Sequence, residues 1–179
     1  MALPSTLFRF KVTLADSDRN VFQDLELRVP LHPSETEQHF LTRVLAYLLN
    51  WQDGIEMMPG IDSPDDPAIR VKDFTGKYLV WIDVGNPAPK RLHKASKLAE
   101  VVKVYAYKDP GVYLRETAKE EVYRLSEIGF YSFPGDFLAA LARTLDRDNN
   151  WEVTVTGGTL YMTAGKVELQ GEARKHGIE

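Results

Sequence analysis

The stretch Tyr78-Leu79-Val80-Trp81-Ile82-Asp83-Val84, closed by Gly85-Asn86-Pro87-Ala88-Pro89, decides the fold. It is apolar on both faces, so it reads as a central strand covered from both sides. Upstream, Ala68 to Asp73 reads as a second strand, joined to the first through a turn containing Thr75-Gly76. Downstream, the prolines stop the strand, and a helix from about Lys90 to Ala99 leads into another strand over Val101 to Tyr107.

Working outward, Leu7 to Leu14 alternates apolar and polar residues as a strand does, and so does Val21 to Val29. Asp16-Ser17-Asp18-Arg19-Asn20 supplies the turn chemistry between them. A helix follows, opened by Ser34-Glu35-Thr36-Glu37, the S-x-x-E pattern of a capping box, with Phe40, Leu41, Val44, Leu45 and Leu48 as its apolar stripe. Asp53 to Pro67 is turn-rich. Later, Leu114 to Leu125 reads as helix, Ile128 to Phe133 as strand, and Pro134-Gly135-Asp136 opens a helix carrying Phe137, Leu138, Leu141 and Leu145. Trp151 to Thr156, Gly157-Gly158 and Thr159 to Thr163 form the clearest hairpin, since Gly-Gly suits a two-residue primed turn. Helices interleaved with strands predict a single α/β (α+β) domain over residues 1–179, with a mixed central sheet flanked by helices.

Composition narrows the function classes. The chain has 179 residues, enough for one domain with its own core, and no Cys, which removes disulfides, thiolate metal sites and a Cys nucleophile. No apolar run approaches the ~18–20 residues that span a bilayer, so no membrane role and a cytoplasmic location are expected. The net charge of −4 argues against coating nucleic acid by bulk charge. That figure hides an asymmetry: Ala88 to Lys108 carries six cations against Glu100 alone, a local +5, so the remainder sums to −9. Directly before it, Trp51 to Asp83 is rich in acids.

Four elements carry candidate chemistry. At 100° per residue Glu37 falls on the side of Leu41, Val44 and Leu48, with Glu35 roughly opposite and facing water. A carboxylate aimed at a core needs a partner or a metal, unless Glu37 simply reaches back to the Ser34 backbone N–H as a cap. Asp83 shares a strand face with Leu79 and Trp81, and either bonds the N–H groups of the following loop or takes a partner. If Phe74 and Lys77 flank the turn, Ala68 lies opposite Asp83 with Asp66 nearby on that face; a one-residue shift substitutes Asp65. Converging acids would bind a hard cation such as Mg²⁺. Lys90, Lys94 and Lys97 form one stripe of the basic helix, which is either a solvated face or a surface for phosphates. The four His (His32, His39, His93, His176) show no ligand-like spacing, and no phosphate-loop, dinucleotide, zinc-protease or nucleophile-elbow motif is present.

A helical acid, then Pro64-Asp65-Asp66 before one strand, then Asp83 on the next resembles the PD-(D/E)XK nuclease superfamily. Gly85 stands where that pattern has its Lys, which shifts the role to Lys90, or else to Lys94. More finely, the whole chain resembles the bacterial YaeQ family. The resemblance lies in His32-Pro33-Ser34-Glu35-Thr36-Glu37, Asp65-Asp66-Pro67-Ala68 and Leu79-Val-Trp-Ile-Asp-Val-Gly-Asn-Pro87, followed by Lys90, Arg91, Lys94 and Ala95. It implies a variant PD-(D/E)XK nuclease-like fold. Three expectations follow. The first is a Mg²⁺-dependent phosphodiesterase acting on nucleic acid, with Glu37, Asp66 and Asp83 as metal ligands, Asp83 and Lys90 as catalytic residues, and the basic helix at 90–97 approaching the substrate. The second is a non-catalytic nuclease-fold module that binds protein or nucleic acid, which the missing Lys and the negative net charge favour; a plain interaction scaffold with structural acids is the third.

Overall fold

Period-two alternation builds the first sheet. Strand β1 (Thr6–Asp16) buries Phe10, Val12 and Leu14 on one face and turns Arg9, Lys11 and Thr13 outward. It pairs antiparallel along its whole length with β2 (Val21–Leu31), Thr6 opposite Leu31 and Asp16 opposite Val21. These positions come from a computed structural model, which describes residues 4–59 and 65–178; Asp62 and Pro64 of the acidic stretch lie outside the described residues.

On the other edge of β1, β8 (Asp148–Thr156) adds in parallel, followed by β9 (Thr159–Ala164) and β10 (Val167–Glu172). The order is β10-β9-β8-β1-β2. Gly157 and Gly158 both adopt positive φ, as the predicted two-residue turn requires, and their N–H groups donate to the Asp18 carboxylate at 2.8 and 2.9 Å.

The second sheet has the order β11-β7-β6-β5-β4-β3. Its strands are β3 (Ile55–Met57), β4 (Ile69–Lys72), β5 (Tyr78–Val84), β6 (Ala99–Ala106), β7 (Gly129–Ser132) and β11 (Arg174–His176). β5, β6 and β7 are parallel and the remaining pairs antiparallel. Ile69 lies opposite Ile82, which continues to Ala68 opposite Asp83 as the sequence predicted; a register shift between Val71 and Lys72 absorbs the turn.

Helices α1 (Glu37–Leu49) and α4 (Gly135–Arg143) lie between the sheets. They pack on Phe10, Val12, Leu14, Trp151, Val153 and Val155 from one sheet and on Ile69, Ile82 and Tyr105 from the other. Helices α2 (Pro89–Leu98) and α3 (Gly111–Thr117) cover the far face of the second sheet in a core of Trp81, Leu92, Ala95, Val104, Leu114 and Phe130. The expected mixed α/β domain is therefore what forms. Its strands divide into two sheets instead of lying in one, because β1 and β2 pair with β8 and not with the β4–β5 hairpin. The helix expected over Leu114 to Leu125 stops at Thr117, and Arg124 at φ +50 breaks the backbone before a 3-10 turn at Leu125–Glu127.

One consequence of this layering governs the candidate site. Trp81 belongs to the α2 core and Ile82 to the α1 core, so alternation sends Asp83 to the α2 side. Helix α1, with Glu37 at its start, packs against the opposite face of that sheet.

Candidate functional site

Asp83 is buried near the end of β5, and its partner is Arg91 from the first turns of α2. Arg91 Nε donates to Oδ2 at 2.7 Å and Nη2 to Oδ1 at 2.9 Å, a bidentate clamp. The same guanidinium donates to the Asp66 carbonyl oxygen at 2.7 Å and lies 5.7 Å from the Trp81 ring centre. Next to it, the Tyr113 hydroxyl donates to the Pro87 carbonyl at 2.8 Å. Burial pushes that phenol up to about 12, with the Asp83 charge adding to the effect. The clamp is positioned by sequence: Arg91 stands four residues before Ala95, so it shares the helix face that packs on the sheet.

The acids expected to join Asp83 are placed elsewhere. Asp66 sends its carboxylate toward Arg70 at 3.7 Å, and its backbone carbonyl accepts from Arg91. Asp65 pairs with Lys94 at 3.0 Å on the surface. Glu37 is exposed on the first helical residue, so the geometry predicted for it is reversed. The helix is capped by Thr36, whose side chain accepts from His39 N at 3.1 Å, and the Ser34 N–H donates to His32 Nδ1 at 3.1 Å rather than to Glu37. Among the described residues no group of three or more His, Asp or Glu side chains is arranged to hold a metal ion. Lys90 is exposed, beside His93, Glu120 and Glu121 in a shallow surface hollow.

Glu35, expected in water, is the buried acid. It precedes the helix, so the helical wheel does not govern it, and its chain folds inward with N–H donated to the His32 carbonyl at 2.9 Å. Arg43 Nε and Nη2 donate to its two oxygens at 2.7 and 2.9 Å, and Arg43 Nη2 also meets the Pro30 carbonyl at 2.9 Å. His39 Nδ1 lies 2.5 Å from Glu35 Oε2, with its ring edge-on to Tyr107. Burial raises the Glu35 carboxyl, but the hydrogen bonds and charges of His39 and Arg43 outweigh it and hold the group below its ordinary range. A sequence signal existed: His39 and Arg43, four residues apart on α1, share one stripe of the helix and present two basic groups to the chain before its cap.

The basic stretch disperses as well. Arg91 and Lys94 are neutralised by Asp83 and Asp65, and Lys103 points to the α1 side of the sheet. Lys90 and Lys97 make no ion pair among the described residues and share the outer face of α2.

The sequence profile described as "YaeQ protein" matches residues 1–173. The chain belongs to the YaeQ family. It is 25% identical over 171 residues to "Uncharacterized protein YaeQ" of Escherichia coli strain K12 and to that of Salmonella typhi, covering 95% of this chain and 94% of each relative. The crystal structure of the YaeQ protein from Pseudomonas syringae superimposes with a TM-score of 0.88 at 28% identity, over 99% of both chains. That of the Xanthomonas axonopodis pv. citri YaeQ protein shares the fold with a TM-score of 0.82 at 22% identity, over 98% of this chain and 99% of that one. The two-sheet architecture is thus that of YaeQ crystal structures.

Proposed function

We propose that this YaeQ-family chain is a non-catalytic binding module on a nuclease-like fold, with nucleic acid as its ligand, rather than a Mg²⁺-dependent phosphodiesterase. The observation that carries this reading is the clamp on Asp83. Both of its oxygens already accept N–H groups from Arg91 at 2.7 and 2.9 Å. A Mg²⁺ ion at Asp83 would have to displace a bidentate, charge-assisted pair. Glu37 approaches from the other side of the sheet, and the cation nearest Asp83 is a guanidinium, which cannot lose a proton to act as a base.

The ligand surface is the outer face of α2. Lys90 and Lys97 are seven residues apart, about 10.5 Å along the axis. Lys94 lies between them, and its exposed pair with Asp65 is weak enough to exchange for a phosphate.

Fluorescence anisotropy with single-stranded DNA and RNA, at low and at near-physiological salt, tests the reading. Salt-sensitive binding is expected, weakened several-fold by the Lys90→Ala/Lys97→Ala pair, kept by Asp83→Asn, and without strand cleavage in Mg²⁺ or Mn²⁺. Metal-dependent cleavage that Asp83→Asn abolishes would restore the phosphodiesterase. Neither binding nor cleavage would leave the scaffold reading standing.

A further inference from the structure

On the α1 side of the second sheet, away from α2, Lys103 has no counter-ion among the described residues. Lys103 lies opposite Ile82 on β6, so it faces inward with Tyr105, Tyr131 and, from the edge strand, Lys175. Helix α1 ends at Leu49 with Asn50 as its C-cap, and Val101, two residues before Lys103 on the same strand face, is exposed. Asn50 at the helix end, Lys103 and the Tyr131 ring come together on this face.

The polar wiring of this cluster is one-sided. Asn50 Nδ2 donates to the Ala46 carbonyl at 2.7 Å and to the Tyr105 hydroxyl oxygen at 2.9 Å, which fixes Oδ1 as an acceptor. Lys103 Nζ donates to that Oδ1 at 2.7 Å and sits 5.8 Å from the Tyr131 ring centre. One of three ammonium donors is thereby used, and among the described residues no carboxylate lies within ion-pair distance of it. The charges that reach Lys103 are of its own sign, from Arg19 and Lys175. Asp16 does not compensate, because Arg19 Nε holds its carboxylate at 2.7 Å while Arg19 also donates to the Leu48 and Trp51 carbonyls. Burial first, then Arg19 and Lys175, pulls the Lys103 ammonium below the ordinary lysine range. A half-buried cation with spare donors and only cationic neighbours is costly unless an anion from solution completes it.

We infer that the cluster of Lys103, Asn50, Tyr131 and Lys175 on this face is a binding site for a phosphate-class oxyanion. Lys103 supplies the inner donors, Lys175 closes the site from the exposed edge strand, and the phenol of Tyr131 lies beside the anion. Gly129 is part of the construction: a Cβ there would stand 2.8 Å from Tyr131 Cε2, so only glycine lets that ring lie down along the strand. The site is independent of the α2 surface, because the two lie on opposite faces of the sheet.

Backbone NMR titrations of the full chain test this with two ligands, inorganic phosphate and a thymidine dinucleotide carrying one phosphodiester, each against chloride at matched ionic strength. Saturable shifts at Asn50, Lys103 and Tyr131 are expected with at least one of them, and the arm that saturates identifies a free phosphate or a nucleic-acid backbone as the source. Lys103→Met should weaken binding about tenfold and Lys103→Arg should restore most of it. Exposed Lys175→Ala should weaken it about threefold without a change in melting temperature, so the inference stays testable if Lys103→Met folds poorly. Lys166→Ala, in an exposed turn of the other sheet, should bind like the parent. No saturation above the chloride control in either arm, or saturation unaffected by both Lys103→Met and Lys175→Ala, overturns it.

Discussion

Replacing Glu35 with Gln keeps the side-chain shape and removes one charge from a pair whose side chains are 0% and 1% exposed. The amide still offers one acceptor to Arg43, but its nitrogen meets a guanidinium donor where an oxygen stood 2.7 or 2.9 Å away. Breaking a buried pair from one side costs about 3–5 kcal/mol. The retained acceptor and the Pro30 carbonyl on Arg43 reduce this to about 3 kcal/mol. For a chain of this size each kcal/mol moves the melting temperature by roughly 2–4 °C, so a fall of roughly 6–12 °C is expected at pH 7. Glu37→Gln, at the exposed first turn, should shift it by no more than about 3 °C.

The pH dependence supplies a second reading of the same pair. Glu35 titrates below its ordinary value when folded, so its contribution is complete above the unfolded pKa. It is lost as pH falls from the ordinary carboxylate range through the depressed folded pKa. Differential scanning calorimetry of the parent and Glu35→Gln should therefore give melting temperatures that converge on acidification. Equal melting temperatures at pH 7, or a gap that persists unchanged into strong acid, would refute the assignment of a buried, charged Glu35.

Two further outcomes follow from packing. Gly171→Ala places a Cβ 2.5 Å from the Phe137 ring, so urea unfolding should show a loss of about 1–3 kcal/mol as α4 is pushed off β10. Asp83→Asn should destabilise by about 2 kcal/mol through the stranded Arg91, and calorimetric titration of the parent with Mg²⁺ should give no heat that this substitution removes.

Strands were legible wherever one face was buried and the other wet, as in Leu7 to Leu14, and wherever turn chemistry was explicit, as at Gly157-Gly158. The β4–β5 register was legible because a single hairpin connects the strands. The division into two sheets was not: it depends on β1 pairing with β8, a contact between chain ends that no local pattern encodes. β3, β10 and β11 are short or mostly exposed, and the periodicity of Val167–Glu172 is too weak to separate strand from loop. At the candidate site, the demand that Asp83 take a partner was readable and its answer, Arg91, stood in the quoted block. Glu35 and Glu37 exchanged places for a physical reason. The wheel was extended one residue past the Thr36 cap, to Glu35 in chain that is not helical, and that error turned a buried carboxylate into a surface one.

The parallel ladder of β1 with β8 also bears on how the chain is made. Arg9 and Asp148 are paired across 139 residues, so the β1 edge that β8 occupies stays open until the last fifth of the polypeptide has emerged. At translation speeds of about 5–20 residues per second that wait is roughly 7–30 s, long against the folding of a local hairpin. For that interval the newborn β1–β2 ribbon exposes a row of unpaired backbone groups, and the alternating Arg9, Lys11, Glu26 and Arg28 on its wet face are what keep one nascent chain from zipping onto another.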